Sequence, residues 1–211
     1  DDVSAGRITV GLGAGATSFD ATVLGAEPLT PRQRADRFAE FVTALDRFLT
    51  EPAASFDGSY YSGDEVRTYP GCVQRPRLPF AVAATGPRGM QVAARHGQAW
   101  VTYGDPRRAA EMTPEECEAT VRAQGTLLDA ALAEEGRGPG SIDRLLLTGS
   151  TPERPLASVE AFRDMAGRYA ALGITDLIVH WPRPDEPYAA DPAVLERIAT
   201  EALPDVAAGR F

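Results

Sequence analysis

The chain has 211 residues, 44% of them hydrophobic, enough for a substantial core. A formal charge of −9 argues against nucleic acid or an anionic membrane surface as partner. No apolar run approaches the ~18 residues a membrane-spanning helix needs, and nothing at the start reads as a signal peptide. Cys72 and Cys117 stand alone, without a CxxC partner or a neighbouring His, so two free thiols in a reducing cytoplasm are expected and no metal site. All 21 basic residues are Arg and Asn is absent, which fits the codon usage of a GC-rich genome and tells against over-reading any one arginine.

The sequence opens on Asp1 and enters an apolar strand at Ile8. That strand runs into Gly11, Gly13 and Gly15, which let a backbone turn sharply and approach a ligand closely. A G-x-G-x-x-A pattern over Gly11, Gly13 and Ala16 raises a dinucleotide-binding fold, whose confirming context is a helix beginning at once. Ser18 to Leu29 holds Gly25 and Pro28 and carries no sustained helical stripe, so a helix starting at Ala16 is not expected. Next comes a strong helix: Thr30 caps, Pro31 takes the first position and Gln33 completes a capping box. Phe38, Phe41, Val42, Leu45, Phe48 and Leu49 form its core-facing stripe. Ser55 to Val66 reads as a small hairpin with turns at Asp57-Gly58 and Ser62-Gly63. A proline-punctuated run, Pro70 to Pro79, leads into the centre of the chain.

Leu78 to Gly104 reads as strand, tight turn, helix, strand, with Phe80 to Ala84 and Ala99 to Tyr103 as parallel neighbours. Gly86-Pro87 opens the helix and Gly97 closes it. The turn Thr85, Gly86, Pro87, Arg88, Gly89 is the central candidate. Free N–H groups at a helix start attract anions, Arg88 adds a charge and Thr85 a hydroxyl. From the turn alone, an anion site and an ordinary turn with an exposed arginine are equally good readings. Further on, Thr113-Pro114-Glu115-Glu116 is a capping box for a helix to about Glu135. Arg144 to Thr148 is a strand, Ser158 starts a helix closed by Gly173, and Asp176 to Trp181 is a strand. Asp191-Pro192 starts a last helix that Pro204 is expected to stop.

Five strands alternating with five helices predict one domain with a parallel sheet and helices outside it. Ligands gather at the C-terminal ends of such strands. There the chain offers Gly11, Gly13 and Gly15, then Thr85 and Gly86, Thr102 and Tyr103, Thr148 and Ser150, and His180 and Trp181. This small, polar, glycine-rich ring suits a flat cofactor with a phosphate tail. His180 is either a hydrogen-bonded structural residue or a proton donor to substrate. His96 is given no role beyond suiting a helix C-terminus. Ser18 and Ser150 lack a nucleophile elbow, and no carboxylate pair stands out.

In order along the chain stand SAGRITVGLGAG, a helix of the form RxxRFxEFVxALxRFL, FDGxYY, QRPRLPFAVAATGPRGMQVAARHGQAWVT and ALGITDLIVHWP. Together they resemble the bacterial luciferase-like monooxygenases. The resemblance implies a (β/α)8 barrel and an oxidoreductase using flavin mononucleotide (FMN) or the deazaflavin F420, both of which carry a phosphate. It implies that Thr85, Gly86, Pro87, Arg88 and Gly89 form the phosphate-binding turn. Gly11, Gly13 and Gly15 would lie against the cofactor at the end of the fourth strand, with Thr102 on its phosphate side. His180 remains the one candidate catalytic residue. If Ile8 begins the fourth strand, strands four to eight are here and the first three βα units are not. The chain is then expected to be the C-terminal portion of a longer protein, or a natural short form like the family's non-fluorescent flavoprotein. A small-molecule substrate and a homodimer are the partners the resemblance implies. Two rival readings are a non-catalytic cofactor-binding or pairing subunit and an NAD-binding Rossmann enzyme.

Overall fold

Short apolar strands alternate with well-capped helices in the computed structural model, which describes residues 1–15, 18–23, 25–105, 108, 111–186 and 188–211. Its parallel strands follow the order β1-β4-β5-β6-β7, where β1 is Val10–Leu12, β4 Phe80–Ala83, β5 Ala99–Thr102, β6 Asp143–Leu147 and β7 Asp176–Ile178. The chain divides into two compact units, 1–100 with 128–142 and 101–127 with 143–211.

In the first unit β1 pairs in parallel with β4, with Val10 opposite Phe80, Gly11 opposite Ala81 and Leu12 opposite Val82. The segments that follow the two strands therefore leave from the same end. A six-residue helix, α1 (Ser18–Val23), follows β1 and gives way to Gly25, whose φ of +71° suits glycine. The start proposed for a Rossmann helix, at Ala16, lies outside the described residues. Helix α2 (Pro31–Thr50) has the expected capping box, with the Thr30 side chain accepting from the Gln33 N–H and the Gln33 side chain accepting from the Thr30 N–H. Strands β2 (Ala54–Asp57) and β3 (Ser62–Val66) form the hairpin. Its turn differs from expectation, because Ser62 pairs with Asp57 and the tip is 58–61. The cause is Glu40 on α2. Its carboxylate accepts the N–H groups of Ser59 at 2.9 Å, Tyr60 at 2.6 Å and Tyr61 at 2.7 Å. Desolvation opposes ionisation of Glu40, but these three donors outweigh it and hold the carboxyl below its ordinary pKa.

Helix α3 (Pro87–His96) packs on α2 and on β4. Arg77 fastens the three: it donates to Asp46 Oδ1 at 2.5 Å and to the His96 carbonyl at 2.8 Å, while its guanidinium lies 3.3 Å from the centre of the Phe80 ring. At 6% exposure Arg77 needs such partners, since a buried unpaired charge is costly. The carbonyls at the end of α3 are taken by Arg137, which reaches Ala94 O at 2.5 Å and Gly97 O at 3.0 Å. His96 does not supply the cation expected there. Burial, aided by Arg77 and Arg95, outweighs Asp46 and holds its pKa below the ordinary histidine value.

In the second unit β6 pairs in parallel with β7, Leu145 to Leu147 facing Asp176 to Ile178. The ladder closes there because the chain turns at Thr148, whose hydroxyl donates to Ile178 O at 3.0 Å. The strand expected to run to Trp181 thus ends at Ile178, and His180 and Trp181 lie in the loop beyond. Helix α4 (Pro114–Glu134) begins with the expected capping box, Thr113 N–H to Glu116 at 3.0 Å and Glu116 N–H to Thr113 at 3.3 Å. Helix α5 (Val159–Ala170) is capped by Ser158, and Gly173, with φ +85°, follows it. Val159 and Phe162 pack with Ile198 and Ala202. The last helix does not stop at Pro204. It runs as α6 (Pro192–Arg197), a π-helical turn from Ile198 to Ala202, and α7 (Leu203–Ala207). The wider π turn accommodates the ring that would clash with a carbonyl in a regular helix. Among the described residues no helix is long and apolar enough to cross a membrane.

Candidate functional site

The turn after β4 is held from beneath. Trp100, 1% exposed, donates its indole N–H to Ala84 O at 2.9 Å, fixing the strand end from which Thr85 and Gly86 emerge. Gly86 is the N-cap of α3, with φ −126° and ψ 166°, and no side chain caps the helix. Pro87 has no N–H to offer, and the Met90 N–H is bonded to Gly86 O at 3.0 Å, so the N–H groups of Arg88 and Gly89 are the helix-start donors without an intrahelical acceptor. Thr85 is exposed beside them.

The glycines of this region differ in why they are glycine. A Cβ on Gly86 would meet no atom within 4 Å, and the same holds for Gly11 in β1. On Gly13 it would touch only Ala83 Cβ, at 3.7 Å. On Gly89 it would come to 2.9 Å from Ala84 Cβ, so that glycine is needed to seat the helix on the strand. Gly15 has φ +78°, a conformation glycine adopts without strain. The parallel register puts Gly13 beside Ala83, and so brings the glycine run and the Thr85–Gly89 turn together at one end of the β1–β4 pair. The open space over Gly86, above two uncapped N–H groups of a ten-residue helix, fits a phosphate oxygen.

Two predicted residues stand differently from expectation. Arg88 is engaged within the protein, in an ion pair with Asp36 of α2, at side-chain exposures of 46% and 42%. Arg32 approaches the other oxygen of Asp36 at 3.9 Å. Thr102 is fully buried. Its hydroxyl donates to Gln124 Oε1 at 2.5 Å and accepts the Gly104 N–H at 3.1 Å, so it serves internal packing and has no lone donor to give a ligand.

His180 lies in a second place, a cavity of about 330 Å³ in the second unit. It is formed by the segments that follow β6 and β7. The His180 ring stacks on Tyr188, centroids 4.0 Å apart and planes at 23°. A Cβ on Gly149 would fall 1.6 Å from His180 Nε2, so this glycine makes the room in which the imidazole sits. Leu156 and Val194 line the cavity and belong to the apolar packing under it. Glu153 lines it as well, tied to Arg168, which also pairs with Glu118 and Asp164. Desolvation opposes the charge on Arg168, but its three carboxylate partners raise its pKa further above an ordinary arginine. Trp181, expected near His180, is 74% exposed and not among the lining residues. Sequence reading missed Tyr188, Glu153 and Asp36, since each meets its partner through tertiary contact.

With this geometry in view, a family model described as luciferase-like monooxygenase matches residues 1–172. The chain belongs to the luciferase-like monooxygenase family. It is 28% identical over 214 residues to the F420-dependent glucose-6-phosphate dehydrogenase of Intrasporangium calvum, covering 98% of this chain and 56% of that protein. To the 4-hydroxyprotoasukamycin monooxygenase of Streptomyces nodosus subsp. asukaensis it is 34% identical over 115 residues, 51% of this chain and 29% of the other. The monooxygenase RslO1 from Streptomyces bottropensis shares the fold, with a TM-score of 0.71 at 19% identity, over 97% of this chain and 70% of that one. The chain therefore spans little more than half the length of the dehydrogenase it matches from end to end. Its parallel strands and intervening helices are those of a luciferase-like α/β barrel.

Proposed function

We propose that this chain carries the phosphate-binding side of an oxidoreductase that works through a phosphorylated flavin or deazaflavin. One observation carries the reading: α3 starts with two free N–H donors, no side-chain cap and open space over Gly86. The helix dipole and Arg88 add favourable charge for a dianion. Gly11 and Gly13 leave room for a cofactor to approach the backbone beside the turn, and Gly15, with φ +78°, lets the chain turn there. The cofactor's ring supplies the redox chemistry when bound, and the protein binds and orients it and excludes water. Two relatives aligned over 98% of the chain are F420-dependent dehydrogenases, which supports F420 over FMN. His180 is assigned to the substrate side, donating or accepting a proton at an imidazole nitrogen. Among the readings weighed against this one is Rossmann-type NAD binding: the first helix described after the glycine run, α1, is six residues long, and the start at Ala16 that such a fold needs lies outside the described residues.

The test is a binding titration with F420, FMN and riboflavin on the wild-type chain and on Arg88→Ala. Phosphorylated ligands are expected to bind more tightly than riboflavin and to lose more affinity in the variant. Equal loss for FMN and riboflavin would overturn the phosphate assignment.

A further inference from the structure

The cavity around His180 has a chemistry of its own. Its floor is apolar, with Leu156 and Val194. One wall is the stacked pair of His180 and Tyr188. The charged lining carries more acid than base: Glu153, Glu186 and Asp191 reach it against Arg154. An ionised carboxylate accepts hydrogen bonds and donates none, so a ligand that meets these three groups brings the donors. Among the described residues Arg154 brings a guanidinium to the lining, and it is bridged to Glu186 at 3.0 Å. Arg168, behind Glu153, is shared with Glu118 and Asp164, so three carboxylates surround one guanidinium and leave that corner negative. Asp191 caps α6, accepting the Ala193 N–H at 2.9 Å, and adds another negative charge.

From this we propose that the cavity binds a small organic cation, an ammonium group carried on an apolar body. The apolar body fills the floor between Leu156 and Val194, against the His180–Tyr188 stack. The ammonium lies toward Glu153 and Glu186, where its three N–H donors meet carboxylate oxygens that can accept more than the partners they already have. A cavity of about 330 Å³ is at the lower end of the ordinary range for small-molecule sites and suits a single-ring amine. An anionic ligand is disfavoured, because it would have to displace Glu186 from Arg154 and face Glu153 and Asp191. This inference concerns the second unit alone and holds whichever cofactor the chain takes.

The chain has only two histidines, so its imidazole NMR spectrum separates the cavity from the rest of the molecule. His96 is the internal control, set between Asp46 and Thr43 on α2. Benzylamine, benzyl alcohol and benzoate are titrated into the full chain, which share one ring and differ in head group. Benzylamine is expected to shift the His180 resonances saturably, in about the millimolar range, and to leave His96 in place. Benzyl alcohol should bind at least severalfold more weakly and benzoate more weakly still. Gly149→Ala, which drives a methyl group into the His180 seat, should abolish the saturable His180 shift while leaving His96 unchanged. Glu186→Gln, on an exposed side chain, should lower the preference for benzylamine over benzoate roughly threefold. Benzoate binding as tightly as benzylamine, no saturable His180 shift with any probe, or equal shifts of both histidines would overturn the proposal.

Discussion

Asp36 competes with a ligand for Arg88, and removing its charge is therefore expected to improve phosphate binding. The two side chains pair while each is nearly half exposed, at 46% and 42%. An ion pair of that kind is worth about 0.2–1 kcal/mol. If Arg88 must leave Asp36 to meet a phosphate, Asp36→Asn returns that amount, an affinity gain of roughly 1.4- to 5-fold. Arg88→Ala works in the opposite direction. A charge-assisted hydrogen bond contributes about 1.5–3 kcal/mol, and subtracting the pair energy leaves roughly 0.5–3 kcal/mol, a loss of about 2- to 150-fold. The assay is fluorescence titration of FMN and of riboflavin against wild type, each single variant and the double variant. FMN should bind more tightly to Asp36→Asn, riboflavin should be unchanged, and Asp36→Asn should give no gain once Arg88 is alanine. Because Arg32 also approaches Asp36, at 3.9 Å, a small effect on α2 is expected in thermal unfolding and serves as control. Weaker FMN binding in Asp36→Asn, or parallel changes for both ligands, would refute the reasoning.

Three further outcomes follow from buried contacts. Thr102→Val should cost about 1–3 kcal/mol in urea unfolding, because Gln124 and the Gly104 N–H lose their partner in a fully buried place. Gly89→Ala should destabilise by about 1–3 kcal/mol, since its methyl group meets Ala84 at 2.9 Å, and should weaken FMN binding as α3 shifts off β4. For His96 the folded-state pKa lies below the unfolded value of 6.5. The unfolded chain then takes up the proton first as pH falls, so stability is retained above 6.5 and lost toward the folded-state pKa. Unfolding at pH 7.5 and pH 5.5 should therefore show a smaller loss for His96→Gln than for wild type; an equal loss in both would remove His96 from the account.

The parts of the fold legible in the sequence are those written locally. The capping boxes at Thr30 and Thr113 and the Gly86-Pro87 helix start each lie within four residues, and each is where the sequence placed it. What escaped depends on partners far away in the chain. The strand to Trp181 was over-extended because DLIVHW is apolar throughout, yet its neighbour β6 turns away at Thr148 and ends the ladder. Pro204 read as a stop because the π turn before it leaves no mark in the composition. At the site, Gly86 and Arg88 were legible as an anion-binding pattern. The pairing of Arg88 with Asp36, 52 residues earlier, was not. Nor was the stacking of His180 on Tyr188, which a loop brings back over it.

The most direct measurement is an amide NMR titration of the wild-type chain with FMN, following the N–H resonances of Arg88 and Gly89. A phosphate seated on the start of α3 predicts saturable downfield shifts at these two amides, reproduced in part by inorganic phosphate and absent with riboflavin. Shifts of the same size with riboflavin, or FMN binding that leaves both amides unmoved, would contradict the account.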